Sequence, residues 1–143
     1  MRSWHDFHII GYAVDGKAKT LTFQLEWPYD TSTDICRAGI QFLGVECYYL
    51  EHDLGNNIVY GFEEVPVAQH LRRWMNHFEA ECKWGWPSFW RPAPHPRRPP
   101  EVELEEATRQ LTRNGVKCFE LSSSLGLSGW ILATEVLDGS GEV

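Results

Sequence analysis

Several common functional signatures are missing from this sequence. No apolar run approaches the ~18 residues that a membrane span needs, and the N-terminal MRSWHDFH lacks the hydrophobic region of a signal peptide. The phosphate-binding patterns G-x-x-x-x-G-K-[ST] and G-x-G-x-x-G and the nucleophile elbow G-x-S-x-G are absent too. We therefore expect a cytoplasmic protein that has no membrane partner, and we find no assembled catalytic motif.

Positive charge is in short supply. Lysine and arginine number 13 against 20 aspartates and glutamates, which leaves a net charge of −7. A general nucleic-acid binder needs a basic footprint to neutralise phosphates, so we predict no nucleic-acid partner. The same charge favours a basic protein partner, because complementary charge speeds encounter.

Paired cysteines are also missing. The four cysteines are dispersed, with no C-x-x-C pair among Cys36, Cys47, Cys82 and Cys118. In a reducing compartment such cysteines act mostly as small buried apolar residues. We expect neither a metal nor another cofactor at these positions or elsewhere in the chain.

Two helices can be predicted from apolar periodicity. Between Pro66 and Gly85, large apolar residues recur at helical spacing, at Val67, Leu71, Trp74, Met75, Phe78 and Cys82. This pattern predicts a principal helix over about 66–82 that packs across a face of a sheet. A narrower stripe of Leu104, Ala107 and Leu111 predicts a second helix over about 102–113.

Most other segments have the alternation of strands. Four runs, over residues 7–14, 19–27, 37–50 and 58–65, precede the principal helix, and two more, over 116–121 and 129–137, follow the second. A phase change in the third run predicts a bulge near Gly44. We predict a single α+β domain over residues 1–143 with a mainly antiparallel sheet of about six strands. The first four should form a meander and lie beneath the principal helix.

The segment over residues 84–100 is rich in tryptophan and proline. It holds six of the eight prolines and three of the seven tryptophans, so regular structure is excluded and a long surface loop is predicted. Its aromatics could close over the fold as a lid. They could instead form an interface, since tryptophan and arginine dominate binding hot spots. The predicted contact residues are Trp84, Trp86, Trp90, Arg91, Arg97 and Arg98.

Histidines provide the alternative chemistry. His5, Asp6 and His8 could begin a metal site, although a stable site needs about three or four ligands in the correct geometry. Alternatively, these residues begin a strand, and the side chains of His5 and Asp6 form hydrogen bonds to the neighbouring backbone. His70 and His77 are two helical turns apart, too far for one metal, and are predicted to lie on the rim of the apolar stripe.

Two short stretches carry a resemblance. The first is Ser3-Trp4-His5-Asp6 with Ile9, Ile10, Gly11 and the strand over residues 21–27, and the second is Ser123-Ser124-Leu125-Gly126-Leu127-Ser128-Gly129-Trp130 with Ala133. Together they cover about a fifth of the chain. The chain thereby resembles small bacterial α+β proteins, some uncharacterised and others similar to immunity proteins of bacterial toxin systems. This resemblance implies a protein that binds a toxin-like partner and performs no reaction, and it transfers no binding residues because immunity proteins use divergent surfaces.

Three functions remain open from the sequence. The leading expectation is a cytoplasmic, non-enzymatic binding protein with a protein partner. The second is a small metal-dependent hydrolase that uses the cluster at His5, Asp6 and His8. The third is a small-molecule sensor whose aromatics line a pocket between sheet and loop.

Overall fold

The computed structural model describes residues 3–29, 36–91 and 98–140. Over these residues the fold is α+β, with eight antiparallel strands in a single sheet and two α-helices. The strands are β1 (His8–Asp15), β2 (Thr20–Trp27), β3 (Cys36–Leu43), β4 (Cys47–Glu51), β5 (Asn57–Val65), β6 (Lys117–Leu125), β7 (Ser128–Ala133) and β8 (Glu135–Ser140). The helices are α1 (Val67–Glu81), which runs into a 3₁₀ turn at Cys82–Trp84, and α2 (Pro100–Arg113).

The sheet curls into a barrel-like ring. Its strand order is β4-β7-β6-β5-β1-β2-β3-β8. Because β3 leads into β4 and β7 leads into β8, the β3–β8 and β4–β7 pairings are two halves of one long ladder. Backbone bonds from Thr134 N to Leu43 O (3.0 Å) and from Glu46 N to Leu132 O (2.8 Å) join those halves. The ring therefore closes through this shared ladder, while β4 and β8 are not paired with each other among the described strands.

The inside of the ring holds the first hydrophobic core. Phe42 of β3 and Phe119 of β6 have ring centroids 5.3 Å apart although their strands are not neighbours, so side chains meet across the interior. Six strands contribute fully buried side chains to this core, among them Ile9, Leu21, Phe23, Leu25, Ile40, Phe42, Val59, Phe119 and Ile131. Aromatic contacts of this kind add about 0.5–1.5 kcal/mol each beyond simple burial.

The two helices cover the outer face of β4, β7 and β6. Leu71 and Phe78 of α1 and Leu104 and Leu111 of α2 share a second core with Trp130, whose strand is β7; Cys47, Cys118 and Leu132 belong to the same core. Two of the three covered strands follow α1 in the chain, so the expectation that the first 65 residues supply most of this surface is wrong. Neither described helix is long and apolar enough to cross a bilayer.

The helices confirm the sequence prediction, and the strand count differs from it. The predicted third strand is interrupted at residues 44–46, where Gly44 has a positive φ of 61°. The predicted last strand is interrupted at Thr134, which faces Gly44: a β-carbon on Gly44 would lie 2.2 Å from Thr134 Oγ1. These two interruptions turn about six predicted strands into eight.

The predicted meander holds only for its first three strands. β1, β2 and β3 pair in sequence, but β5 lies beside β1. The reason is that β4 continues the direction of β3 and pairs with β7. The next strand, β5, therefore joins the sheet on the other side of the β1–β2–β3 unit, beside β1. Pairing between β1 and β5 covers only His8 with Ile58 and Ile9 with Asn57.

Candidate functional site

A groove of about 710 Å³ opens where β4 diverges from the β1–β2 hairpin. Its three walls are β4, the tip of the hairpin and the segment after the 3₁₀ turn. We call it the β4 groove and define it by its lining residues: Tyr12, Val14, Asp15, Gly16, Lys19, Thr20, Val45, Glu46, Cys47, Tyr48, Tyr49, Leu50, Gly85, Trp86 and Ser88. A single backbone bond, from Val45 N to Lys19 O, closes one end of it.

The β4 groove runs along the edge of a strand. Successive side chains of a strand point to opposite faces, yet residues 45–50 all line the groove. A cavity that touches six consecutive residues must therefore contact the backbone edge. β4 stands at the end of the sheet order and pairs only with β7 among the described strands, so its other edge faces the groove.

A bulge in β1 sets which side chains of this strand face the groove from the side opposite β4. The register of β1 against β2 shifts between Ile9 and Gly11. Beyond the bulge, Tyr12 is opposite Phe23 and Val14 is opposite Leu21, so both face the same side as the interior core. Both nevertheless remain exposed, at 39% and 44%, because the ring is open there. This bulge thus places an aromatic and an aliphatic side chain at the mouth of the groove.

The groove presents neutral phenols beside carboxylates. Burial and the neighbouring Asp53 raise the pKa of Tyr12, and burial together with the hydrogen bond to Glu51 raises the pKa of Tyr49. The hydrogen bond from Asn57 and the backbone N–H of Gly55 lower the pKa of Asp53, so this carboxylate stays ionised. At neutral pH both tyrosines are therefore donors that sit next to negative charge.

The one thiol in the groove is not a nucleophile. Burial raises the pKa of Cys47 to about 12. Attack on a substrate needs the thiolate, which is scarce so far below that value. The β4 groove is consequently suited to binding by aromatic surface and hydrogen bonds.

Trp86 joins the groove to a cluster of aromatic rings beneath it. Its ring centroid lies 6.1 Å from Tyr49, 5.5 Å from His77 and 5.9 Å from Trp130. Trp74 of α1 also contacts Tyr49, at 5.1 Å. The groove wall is therefore supported by packed rings from α1, β4 and β7.

The predicted contact residues do not lie on one surface. Trp90 is buried at 1% exposure, and its Nε1 donates to Glu79 Oε1 at 3.1 Å. Trp86 is half-buried in the groove wall, whereas Trp84 is 75% exposed, with Lys83 Nζ 5.4 Å from its ring centroid.

Two of the three predicted arginines contact one carboxylate, that of Glu103. Arg91 donates its backbone N–H to Glu103 Oε1 at 3.1 Å, and Arg98 forms an ion pair with Glu103 Oε2 at 2.8 Å. Arg97 lies outside the described residues. Glu103 of α2 thus bonds to the backbone of Arg91 and to the side chain of Arg98.

The N-terminal polar residues do not converge on one point. His5 Nδ1 pairs with Asp6 Oδ2 at 3.1 Å. The two ring nitrogens of His8 instead bond to Asn56 Oδ1 at 3.0 Å and to the Tyr29 hydroxyl at 2.9 Å. Across residues 3–29, 36–91 and 98–140, no group of three or more His, Cys, Asp or Glu side chains is arranged to hold a metal ion.

His70 is not the rim residue that its spacing predicts. It is completely buried against Trp130, with ring centroids 4.7 Å apart, and its Nδ1 lies 3.2 Å from Glu120 Oε1. Its Nε2 has no hydrogen-bond partner in the described structure. His77 is half-buried, which agrees with a rim position.

No protein-family model, curated protein or solved structure matches this chain. The geometry of the groove is therefore what indicates a function.

The residues that sequence analysis overlooked are Tyr12 and Tyr48. Both are large aromatics on strands and remain exposed, at 39% and 37%. The sequence does give a signal for Tyr48. Val45, Cys47 and Tyr49 alternate along one face of the strand, so the residue between Cys47 and Tyr49 should be polar, yet it is an aromatic. Such an aromatic predicts either an edge strand or a binding surface.

Proposed function

We propose that this chain is a non-enzymatic binding protein that recognises a protein partner through the β4 groove. The observation that carries this proposal is an unpaired strand edge in a groove lined by tyrosine and tryptophan. Tyrosine and tryptophan contribute large contact area and retain a polar group for hydrogen bonding, which is why they concentrate at interface hot spots. Trp84 precedes Gly85 of the groove wall in the chain and is 75% exposed.

The charges around the groove favour a basic partner. Asp15 and Glu46 line it, and Glu51 and Asp53 bond to lining tyrosines. Lys19 is the only cationic side chain that lines the groove among the described residues. Two carboxylates and one ammonium line the groove, two further carboxylates bond to its tyrosines, and the chain carries a net charge of −7, so the region attracts a positively charged surface.

An immunity-like role in the cytoplasm fits this chemistry. An acidic inhibitor binds a basic toxin with fast, charge-assisted association. The resemblance at Ser3-Trp4-His5-Asp6 and at residues 123–130 supports the same role. We accordingly propose a toxin-like protein as the partner.

Photo-crosslinking from the groove tests the proposed site. A photoreactive phenylalanine analogue replaces Tyr48 in one variant and Tyr60 in a control, because Tyr60 is 62% exposed on β5 and does not line the groove. Both proteins are expressed in the native host, and adducts are identified by mass spectrometry. We expect the variant with the analogue at position 48 to form an adduct with one defined protein, and the variant with the analogue at position 60 not to form that adduct. Equal adducts from both positions, or none from position 48, would contradict the proposed site.

A small-molecule sensor is the second candidate, and the groove volume favours it. A cavity of about 710 Å³ falls within the roughly 300–1,000 Å³ of ligand sites. Under this alternative, a compound library screened by thermal shift should yield ligands that stabilise the wild type and lose that effect in Tyr48→Lys. Retention of the effect in Tyr48→Lys would place the ligand elsewhere.

A further inference from the structure

We infer that the β4 groove takes an extended, basic segment of the partner, which adds to the sheet as a strand along the free edge of β4. This inference rests on the proposed function and specifies how the partner binds. An added strand bonds through its main chain, and side-chain pockets beside it supply selectivity. The β4 groove offers both an unpaired edge and flanking side chains.

The free edge of β4 lacks the protection that edge strands usually carry. Exposed edges are commonly blunted with lysine, proline or charges. β4 reads CYYLE, with no lysine, no proline and a single charge at its last residue. The strand at the other end of the sheet order, β8, contains Glu135 and Asp138. The two end strands among the described residues therefore differ: β4 carries no charge before its last residue and borders the groove, whereas β8 carries two carboxylates.

The dimensions suit a short strand. Five residues at about 3.4 Å each give an edge of about 17 Å, enough to pair four or five residues of a partner. The hairpin tip closes one end through the Val45–Lys19 bond. A strand in this position would lie between the β4 backbone and the inward-facing side chains of Tyr12 and Val14.

The groove side chains specify the chemistry of the segment. Alternate residues of an added strand point to opposite faces. One set would meet Tyr12, Val14 and Tyr48, which favours aliphatic or aromatic residues. The other set would meet Tyr49, Trp86 and Glu51, and one end of the segment would meet Glu46. Carboxylates and aromatic faces both favour lysine and arginine there. The occupant is therefore a segment that alternates apolar and basic residues.

Displayed peptides test this inference without knowledge of the natural partner. A library of random decapeptides is panned against the full chain, and binders are counter-screened on two variants. Tyr48→Lys places a positive charge on the edge, and Tyr60→Lys makes the same change on an exposed tyrosine outside the groove. We expect alternating apolar and basic binders whose affinity falls at least about tenfold on Tyr48→Lys and stays unchanged on Tyr60→Lys.

Backbone methylation of the best peptide then separates strand addition from side-chain binding. In a β-ladder only every second N–H of the peptide faces β4, so N-methylation should weaken binding about tenfold or more at alternate positions and little between them. Hydrogen exchange should show new protection of amides in β4 when the peptide is bound. Both results together support the inference.

Three outcomes would overturn it, and they are distinguishable. Peptides that need Tyr48 but tolerate methylation everywhere would refute strand addition and leave the proposed function intact. Absence of any groove-dependent peptide, with the defined adduct from position 48 still formed, would refute strand addition alone, whereas loss of both would refute the proposed function as well. Concentration-dependent protection of β4 amides without peptide would show that a second copy of the chain, and not a partner segment, occupies the edge.

Discussion

Nδ1 of His70, on α1, lies 3.2 Å from Oε1 of Glu120, on β6. Arg73, one turn further along α1, places its Nη1 2.8 Å from the same carboxylate oxygen. One carboxylate therefore holds two successive turns of the helix to the sheet. His70 is the member of this group that is completely buried, so its protonation decides how the group responds to acid.

The fold should lose stability as His70 is forced to accept a proton. Burial lowers the pKa of His70 from its ordinary 6.5, and Arg73 acts in the same direction, while the bond to Glu120 opposes them. Below pH 6.5 the unfolded chain binds a proton that the folded chain resists, so stability is full above that pH and declines as pH falls toward the folded-state pKa. Each unit by which folding lowers a pKa corresponds to about 1.4 kcal/mol of folding stability that is lost when the group becomes protonated.

Urea denaturation between pH 5 and pH 8 measures this decline. The variant His70→Gln should show a smaller decline than the wild type. The control His77→Gln, on the same helix, retains the His70 imidazole and should keep the wild-type decline. An unchanged decline in His70→Gln would show that His70 is not responsible.

The tryptophans of the segment after α1 should separate into structural and surface residues. Trp90 is buried against Phe78, with ring centroids 5.6 Å apart. Truncation to alanine leaves a cavity and removes the Nε1 donor to Glu79, so Trp90→Ala should lower the free energy of unfolding by about 3–5 kcal/mol. Trp84→Ala, at a 75% exposed position, should change it by no more than about 0.5 kcal/mol. Similar values for the two variants would contradict the described packing.

Gly129 should be essential for the pairing of β4 with β7. Its φ is 155°, and a β-carbon there would lie 1.8 Å from the carbonyl oxygen of Tyr49. Gly129→Ala must therefore push β4 away, with a loss of several kcal/mol and of hydrogen-exchange protection in β4. Gly61→Ala, where a β-carbon meets nothing within 4 Å, is the matched control and should be nearly neutral. Protection of β4 in Gly129→Ala equal to that of the wild type would refute this role.

Local patterns predicted the elements of this fold and could not predict their arrangement. The stripe from Val67 to Cys82 located α1 to within a residue at each end, because burial of one helical face requires that period. The bulge near Gly44 was likewise foreseeable from a change of parity. Closure of the ring was not, because it depends on pairing between β3 and β8, which are about 100 residues apart in the chain.

The candidate site was harder to predict for the same reason. The β4 groove joins Tyr12, Tyr48 and Trp86, which come from three separated segments. Composition did single out the region around Trp84 and Trp86. It could not distinguish Trp90, because burial of that ring depends on Phe78 and Glu79 of α1. His70 was misplaced because the spacing along a helix shows which face a residue occupies but not how deeply the sheet covers it.

Titration of the purified partner with three forms of this chain tests the central claim most directly. The partner is the protein crosslinked from position 48, and the forms are the wild type, Tyr48→Lys and Tyr60→Lys. A recognition site at the β4 groove predicts that Tyr48→Lys weakens binding at least about tenfold, whereas Tyr60→Lys stays within about twofold of the wild type. Equal affinity of all three forms would contradict the assignment of the groove.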